Sequence, residues 1–594
     1  GETLSTELGV SASGFGAGAS RPIIRGLEGA RVKMLENGMT VADVSGLSND
    51  HAVSADGAIS RQIEILRGPA ALLYGSGAIG GLVNVVNERI PTALEQHPTG
   101  QLEMRYGTVD RAGAVSGSAD AAVGQVGLHV DGSIRHADDY RIPGARVAGE
   151  PDIGRLPHSA TRQHSGGAGL SLVGDWGHLG ASVSTLSNLY GIPSLEGSRI
   201  DQDQRRYDVD GLLKAPAAGI EQVRVKFGYT DYRHAELDDA GAAEVRFANR
   251  ALESRVEVAH VPLAGWHGSV GLQTENTHFS ALNAEGGPDT VPATHSTTRA
   301  LFAVEEREFG GVRVNAGVRG EQVKRTPVGA PQRSFDLGSA SLGAQWPFAQ
   351  DYTVGATLSL AQRAPATEEL YSGGPHDATA TFDIGNPDFR KETSRNLELS
   401  LQRQRGKLAW KANLFVNKVK DFIYGDILPG MVDEEGAPQA GGPLRLRRFA
   451  QADATLHGAE AEVGYNQHQL GWSGRAFADF SRGRLDDLGN LPLQPAARFG
   501  ADLTYRSSEV RATLSAVRTL RQERLAAFEG AHAPAYTQLN ASISHTQHLQ
   551  GVDLTWFLLG KNLLNEEIRL ATSLLKDVAP LPGRSWVFGV RIKF

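Results

Sequence analysis

Histidines and carboxylates are the residues of this chain that could do chemistry. The 594 residues include 18 His and 67 Asp and Glu but no Cys, which excludes thiol nucleophiles, disulfides, iron–sulfur clusters and Cys-ligated zinc. Any metal site must therefore use imidazole nitrogen and carboxylate or other oxygen ligands. No nucleophile elbow, phosphate-binding loop or His-Glu-x-x-His segment accompanies these residues, so we predict that the protein is not an enzyme.

Charge and hydropathy exclude two further classes of protein. Lys and Arg number 59 against 67 acidic residues, a net charge of −8, and no basic block of the kind that follows a phosphate backbone is present. We therefore expect no nucleic-acid partner. No run of apolar residues approaches the ~18–20 that a membrane-spanning helix needs, so the sequence does not predict a helical membrane protein.

The elements that must position these residues are predicted to be β-strands. From Ser585 to Phe594, aromatic and aliphatic residues alternate with polar or small ones, and the same period of two recurs from about residue 100 to the C terminus. Turn-forming stretches such as residues 283–290 separate the alternating segments. Each segment is thus typical of a strand with one apolar face.

An antiparallel transmembrane barrel accommodates these strands better than a soluble architecture. A β-propeller would show a repeat of ~40–50 residues, and no such repeat is visible. A barrel needs apolar residues on only the lipid-facing half of each strand, which suits the mean hydropathy of −0.26. About 22 strands of ~9–11 spanning residues, with turns and loops, account for residues 98–594, and barrels of that size have a plugged lumen.

Residues 1–97 predict the plug. They contain short strand-like pieces joined by glycine-rich turns and lack sustained alternation. Residues 90–100, rich in proline and glycine, are the expected linker. The sequence therefore predicts an all-β membrane protein, with a small globular plug inside a barrel of about 22 antiparallel strands.

Ordered motifs in both parts resemble those of TonB-dependent outer-membrane transporters. Those resembling the plug motifs are Arg21–Gly26, Ile63–Pro69, Leu73–Gly75 and Gly80–Val85, and those resembling the closing strands and assembly signal are Gly560–Asn565 and Phe594. The resemblance implies a monomer in lipid of the Gram-negative outer membrane, driven by the TonB complex. Because the sequence starts inside the plug, we expect the segment that pairs with TonB to be missing from this chain.

Within that family, several segments are similar to the ZnuD-type zinc receptors. These segments are Gly1–Gly16, Asn49–Asp56, Tyr232–Glu236 and Gly374–Asn386. In those receptors an Asp-His pair of the plug and a Glu and a His of the barrel surround one zinc ion. The resemblance implies Asp50, His51, Glu236 and His376 as ligands of a zinc ion that is imported. His234 is the alternative to Glu236.

A site of two imidazoles and two carboxylates suits zinc without a thiol. Asp50 and His51 are adjacent, so both can face one ion only if the backbone turns there, and the loop-forming residues Ser48 and Asn49 make such a turn credible. We further predict that the second ring nitrogen of each histidine ligand donates a hydrogen bond to a carbonyl or carboxylate, with Asp377 as the partner of His376.

Two other cargoes stay open at this point. Arg363–Pro365 and Asn386–Phe389 resemble the paired barrel boxes of haem receptors, and His51 and His376 would then be the axial ligands of an iron porphyrin. A siderophore is the third possibility, although aromatic residues make up 7% of the chain and show no cluster. Residues 190–200, which match a His-rich capture loop of zinc receptors, contain no His.

Overall fold

The computed structural model describes residues 2–67, 69–75, 77–147, 149–195, 197–467, 469–530 and 532–594; Gly68, within the Ile63–Pro69 motif, lies outside them. Within these residues, the N-terminal part forms a small domain of six short strands and three 3-10 helices. The strands are β1 (Val10–Ala12), β2 (Pro22–Ile24), β3 (Val32–Glu36), β4 (Met39–Thr40), β5 (Gln62–Leu66) and β6 (Gly81–Val86), and the helices are Glu2–Leu4, Gly29–Arg31 and Pro69–Tyr74.

Two sheets make up this domain. β1 pairs with β2, and the other four strands form one sheet in the order β4-β3-β6-β5. β3 and β6 run parallel, whereas the outer pairings are antiparallel. Valine and other aliphatic side chains close the core between the sheets; its buried members are Val10, Ile24, Val32, Met34, Val41 and Val83.

Long antiparallel strands follow the plug. In chain order they are β7 (Thr99–Gly107), β8 (Gly113–Val123), β9 (Val126–Ala137), β10 (Thr161–Gly174), β11 (Gly177–Ile192), β12 (Ser198–Lys214), β13 (Ile220–Leu237), β14 (Ala243–Leu263), β15 (Trp266–Asn283), β16 (Val291–Phe309), β17 (Val312–Pro327), β18 (Arg333–Ala349), β19 (Tyr352–Arg363), the short β20 (Gly373–His376) and β21 (Thr381–Ile384), β22 (Glu392–Arg403), β23 (Leu408–Val432), β24 (Leu444–Tyr465), β25 (Gly471–Leu485), the short β26 (Gly489–Asn490), β27 (Arg498–Arg506), β28 (Val510–Thr519), β29 (Tyr536–Leu549), β30 (Val552–Lys561) and β31 (Ser585–Lys593).

Apart from the three short strands, the described residues close 22 antiparallel strands into a barrel, because β31 pairs with β7. This confirms the predicted architecture. Outward-facing positions carry exposed apolar side chains, and large aromatic ones gather at the end of the barrel where the turns are short. They include Trp176, Phe309, Trp346, Phe348, Trp472 and Trp556. Such a ring is typical of the membrane–water interface of a barrel.

The two ends of the barrel differ in the length of their connections. Short turns such as that between β10 and β11 lie at one end, which is the periplasmic end in outer-membrane barrels. At the other end, the segment between β19 and β22 carries helix α1 (Thr367–Tyr371), the β20–β21 hairpin and the 3-10 helix Asp377–Thr379. No helix among the described residues is long and apolar enough to cross a bilayer.

Buried ion pairs fix the plug against the inner wall. Arg25 donates hydrogen bonds to Glu398 on β22 and to Glu460 on β24, with both closest distances 2.8 Å. Arg31 donates to the fully buried Glu392, which also accepts a hydrogen bond of 2.8 Å from Arg363. Arg363 also pairs with Glu369 at 2.9 Å, so the loss of Glu392 would be costly mainly because it takes away the carboxylate that pairs with the buried Arg31.

Candidate metal centre

The structure brings together the four residues that the zinc-receptor resemblance implies. Asp50 and His51 lie on the plug loop between β4 and β5, Glu236 lies near the extracellular end of β13, and His376 ends β20. Each offers one ligand atom, and these four atoms all lie within 4.8 Å of one another. All four residues have a relative exposure of 0%.

Nitrogen and oxygen atoms alternate around this cluster. The Nε2 atom of His51 lies 3.0 Å from Asp50 Oδ2 and 3.2 Å from Glu236 Oε1. The Nε2 atom of His376 lies 3.3 Å from the same Asp50 oxygen and 3.4 Å from the same Glu236 oxygen. Each imidazole nitrogen therefore faces two carboxylates, one from the plug and one from the barrel.

A turn in the plug backbone lets two adjacent residues face the same point. The His51 amide donates to the carbonyl of Ser48 at 3.4 Å, which bends the chain at Asn49 and Asp50. The buried hydroxyl of Tyr190, on β11, accepts a hydrogen bond from the Ala52 amide at 2.8 Å and lies 3.0 Å from the Asp50 carbonyl oxygen, to which it donates. The barrel wall thus holds both sides of the turn. In the sequence, Tyr190 stood only at the start of the segment that matches a capture loop, and nothing there indicated this contact.

The second ring nitrogens of the two histidines face fixed oxygen atoms. Nδ1 of His51 lies 3.3 Å from the carbonyl oxygen of Val44. Nδ1 of His376 lies 3.4 Å from Asp383 Oδ2, and Asp383 in turn accepts hydrogen bonds from Arg447 and, at 2.8 Å, from Thr381. We predicted Asp377 for this role. The β20–β21 hairpin places Asp383 there because His376 pairs with Thr381, two residues before it.

The charges of the cluster are mutually dependent. Burial disfavours a charged imidazole, but the carboxylates of Asp50 and Glu236 together outweigh this effect and raise the pKa of His51 to about 9. Burial acts in the same way on His376, whose pKa the two carboxylates nevertheless raise well above its ordinary value. The two imidazoles in turn overcome the burial of Asp50 and hold its pKa well below the usual range. Without a metal, the carboxylates thus favour the protonated form of both imidazoles.

His234, the alternative to Glu236, lies beside the cluster and outside it. Its ring stacks on Phe247 at 4.2 Å and lies 4.7 Å from the ring of His51, and its Nδ1 atom is 2.8 Å from the hydroxyl of Tyr232. The structure thus gives Glu236 the position in the cluster.

Two carboxylate oxygens of the cluster have no hydrogen-bond partner in the described part of the chain. They are Oδ1 of Asp50 and Oε2 of Glu236, both buried. Buried polar atoms are nearly always paired in folded proteins, so unpaired carboxylate oxygens in a group of potential ligands indicate a place for a cation.

Comparison with protein families assigns both parts of the chain. Residues 1–82 match the TonB-dependent receptor plug domain, and residues 120–563 match the TonB-dependent receptor-like β-barrel. The chain is 24% identical over 454 residues to the vitamin B12 transporter BtuB of Photobacterium profundum, covering 72% of this chain and 66% of that protein. It is 23% identical over 421 residues to the iron-regulated outer membrane virulence protein of Vibrio cholerae, covering 68% and 59%.

Solved structures share the fold over the full chain. The copper transporter OprC superimposes with a TM-score of 0.86 at 17% identity, covering 100% of this chain and 95% of OprC. The FrpB iron transporter of Neisseria meningitidis gives 0.80 at 14% identity, covering 100% and 97%. The relatives and structures named here are receptors of vitamin B12, copper or iron, or an iron-regulated protein, so the finer resemblance to zinc receptors stays a prediction. Because the barrel family alone matches most of the chain, the protein belongs to the TonB-dependent receptors of the Gram-negative outer membrane.

Proposed function

We propose that this protein imports zinc across the outer membrane and binds it at the seam between plug and barrel through Asp50, His51, Glu236 and His376. The observation that carries the proposal is the buried cluster of two imidazole nitrogens and two carboxylate oxygens. In this proposal residues 1–97 are the plug, residues 98–594 are the barrel, and a monomer in outer-membrane lipid is driven by TonB.

The donor set suits a divalent ion of intermediate softness. Two carboxylates balance the two charges of Zn²⁺, which matters because the site is fully buried and an uncompensated charge there would be costly. Zinc is bound by imidazole nitrogen and carboxylate oxygen at ~2.0–2.2 Å in a tetrahedron, whose edges are then about 3.3–3.6 Å. The four neighbouring nitrogen–oxygen distances of 3.0–3.4 Å therefore come close to that geometry before any ion is added.

Copper is the strongest competitor on chemical grounds. Cu²⁺ binds most nitrogen and oxygen sites more tightly than Zn²⁺ does, but it prefers a square arrangement, whose edges would be about 2.8–2.9 Å for bonds of ~2.0 Å. Cu⁺ prefers sulfur ligands, and the cluster contains none. The four neighbouring distances of 3.0–3.4 Å lie between the edges of the two arrangements, so a direct competition between the metals is part of the test.

The larger cargoes fit the cluster less well. The rings of His51 and His376 have their centroids 5.4 Å apart and nearly parallel, and the Asp50 and Glu236 oxygens lie between them. An iron porphyrin between two axial imidazoles would need its whole plane free of side chains at that position. A siderophore would equally need an open pocket, whereas these four side chains are completely buried.

The division of the ligands suggests how zinc is released. The plug supplies one carboxylate and one imidazole, and the barrel supplies the other carboxylate and imidazole. A movement of the plug therefore removes half of the coordination shell at once, and affinity falls because the ion loses two of its four bonds. Energy delivered to the plug through TonB would be converted into release without any change in the barrel.

The test is metal binding by the purified full-length chain in detergent. We expect about one zinc per chain by elemental analysis, a preference for Zn²⁺ in competition with Cu²⁺ and Fe²⁺ at cellular free concentrations, and no Soret band on titration with haem. Because four ligands together supply about 10–16 kcal/mol in zinc sites, His51→Ala or His376→Ala should each weaken binding by roughly 10²–10³-fold.

His164→Ala is the matched control, because His164 is an exposed histidine on the outer side of β10. It should leave the zinc affinity unchanged. An intact chain without stoichiometric zinc, or equal losses in the His51 and His164 variants, would refute the assignment of the cargo.

A further inference from the structure

Three side chains on neighbouring positions of the barrel wall each carry a buried atom without a hydrogen-bond partner among the described residues. The atoms are Oε2 of Glu236, Nε2 of His234 and Oε1 of Gln202. Gln202 and Glu236 are fully buried and His234 is 4% exposed. Unpaired buried donors and acceptors are rare, so three on adjacent positions call for a common explanation.

The strand register places the three side chains on one face. Glu236 and His234 are two residues apart on β13, so both point into the lumen, and His234 lies directly opposite Gln202 on β12. Since β13 runs towards the extracellular end, His234 lies about 6–7 Å closer to the periplasm than Glu236 does. These three residues belong to the barrel alone.

The other polar atoms of these side chains are held in place. The Gln202 amide donates a hydrogen bond of 2.6 Å to the hydroxyl of Ser54 on the plug, which leaves its carbonyl oxygen free. The hydroxyl of Tyr232 fixes Nδ1 of His234 at 2.8 Å, and Phe247 fixes the plane of the ring. When Nδ1 donates its proton to that hydroxyl oxygen, the lone pair of Nε2 is free to bind a cation.

We propose that Glu236, His234 and Gln202 form an inner cation site, which receives zinc when the plug ligands Asp50 and His51 move away. This inference rests on the proposed function and extends it. Imidazole nitrogen, carboxylate oxygen and amide oxygen are all ligands that zinc accepts. Glu236 is shared by both sites: its Oε1 atom belongs to the outer cluster and its Oε2 atom to the inner one, so the ion moves without leaving that carboxylate.

Polar groups continue inwards from this position. Oδ1 of Asn249, on β14, and the hydroxyl of Thr40, on the plug, are also buried without a partner in the described chain. Both line a cavity of about 290 Å³ between plug and wall, which the carboxylates of Asp43 and Glu275 also line. Basic side chains line this cavity as well, namely Arg21, Lys33, Arg319 and Arg325, so the inner site lies between the outer cluster and a polar space that carries charges of both signs.

The experiment removes the plug ligands and asks what still binds. In the full-length chain with Asp50→Ala and His51→Ala, we expect Zn²⁺ binding to persist with an affinity lowered by about 10²–10⁴-fold. Adding His234→Gln should lower this residual affinity by a further ~10-fold or more, because it removes a ligand, and Gln202→Ala should act in the same direction. Adding His164→Gln instead is the matched control and should have no effect.

X-ray absorption of the zinc-loaded double variant gives a second readout. The number of histidine nitrogens around zinc should fall by one when His234→Gln is added. A residual affinity that His234→Gln and His164→Gln change equally would overturn the inner site, and so would a complete loss of binding in the double variant. Failure of the intact chain to bind zinc would refute the proposed function itself, and these outcomes are therefore distinguishable. Circular dichroism of each variant confirms that the barrel has folded.

Discussion

Tyr190→Phe removes a single hydroxyl group from behind the Asp50–His51 turn and tests whether that turn controls zinc affinity. The hydroxyl satisfies two buried backbone groups, the Ala52 amide at 2.8 Å and the Asp50 carbonyl at 3.0 Å. Leaving a buried group unpaired costs about 1–3 kcal/mol. Without zinc the turn can relax and recover partners, whereas zinc binding must restore the turn. We therefore expect zinc affinity to fall by about 1–3 kcal/mol, or roughly 5–150-fold.

Competition against a chelator of known affinity measures this change in the purified protein. Tyr371→Phe is the matched control. Tyr371 packs in a hydrophobic cluster that does not include Tyr190, and its hydroxyl donates a hydrogen bond of 2.9 Å to the carbonyl of Pro331. It should leave zinc affinity within about twofold of the native value. Unchanged affinity in Tyr190→Phe would refute the argument that the barrel wall sets the turn, and an equal loss in both variants would show only general destabilisation.

Three other predictions follow from the same contacts. The pKa of His51 is raised to about 9 and that of His376 is raised well above its ordinary value, so zinc must displace protons from them when it binds. Calorimetry in buffers of different ionisation enthalpy should show up to about two protons released per zinc. Zinc affinity should rise between pH 6 and 8. Asp383→Asn should lower zinc affinity by about 10–100-fold in the chelator assay, whereas an unchanged affinity would contradict its role in orienting His376. Glu392→Ala takes away the carboxylate that pairs with the buried Arg31 of the plug, whereas Arg363 keeps Glu369, and it should lower the free energy of unfolding of the plug by about 3–5 kcal/mol in urea. Glu103→Ala, in a half-exposed pair, should lower it by less than about 1 kcal/mol.

The barrel could be predicted from the sequence because its physical constraint repeats along the chain. Every spanning strand must present apolar side chains to lipid at alternate positions, so the signal in residues 585–594 recurs in strand after strand. The contacts that hold the plug against the barrel wall could not be predicted in the same way. The pairing of Arg25 with Glu398 and Glu460 joins residues more than 370 positions apart, and no local pattern encodes such a contact.

At the site, the sequence could supply the types of ligand and the resemblance could supply their positions. The residue that holds the second ring nitrogen of His376 depended on how β20 pairs with β21. Asp377 follows His376 directly and was the natural local candidate. The chain instead turns back through Ala380, which adopts a left-handed conformation with φ of 51°, and the hairpin that follows places Asp383 beside the ring. The role of Tyr190 could not be predicted for a related reason, since its hydroxyl donates a hydrogen bond to the carbonyl of Asp50, 140 residues earlier in the chain.

The equal division of the ligands also explains why the barrel would need a further donor. When Asp50 and His51 leave, zinc keeps Glu236 and His376, and the complex then carries one uncompensated positive charge and two open coordination positions inside the protein. Such a state is costly in a buried site unless polar groups complete the shell. His234 and Gln202 present unpaired donor atoms beside Glu236, on the side that leads inwards. In the proposed pathway these groups would lower the cost of separating plug from ion on the inward side and would thus favour movement of the cation towards the periplasm.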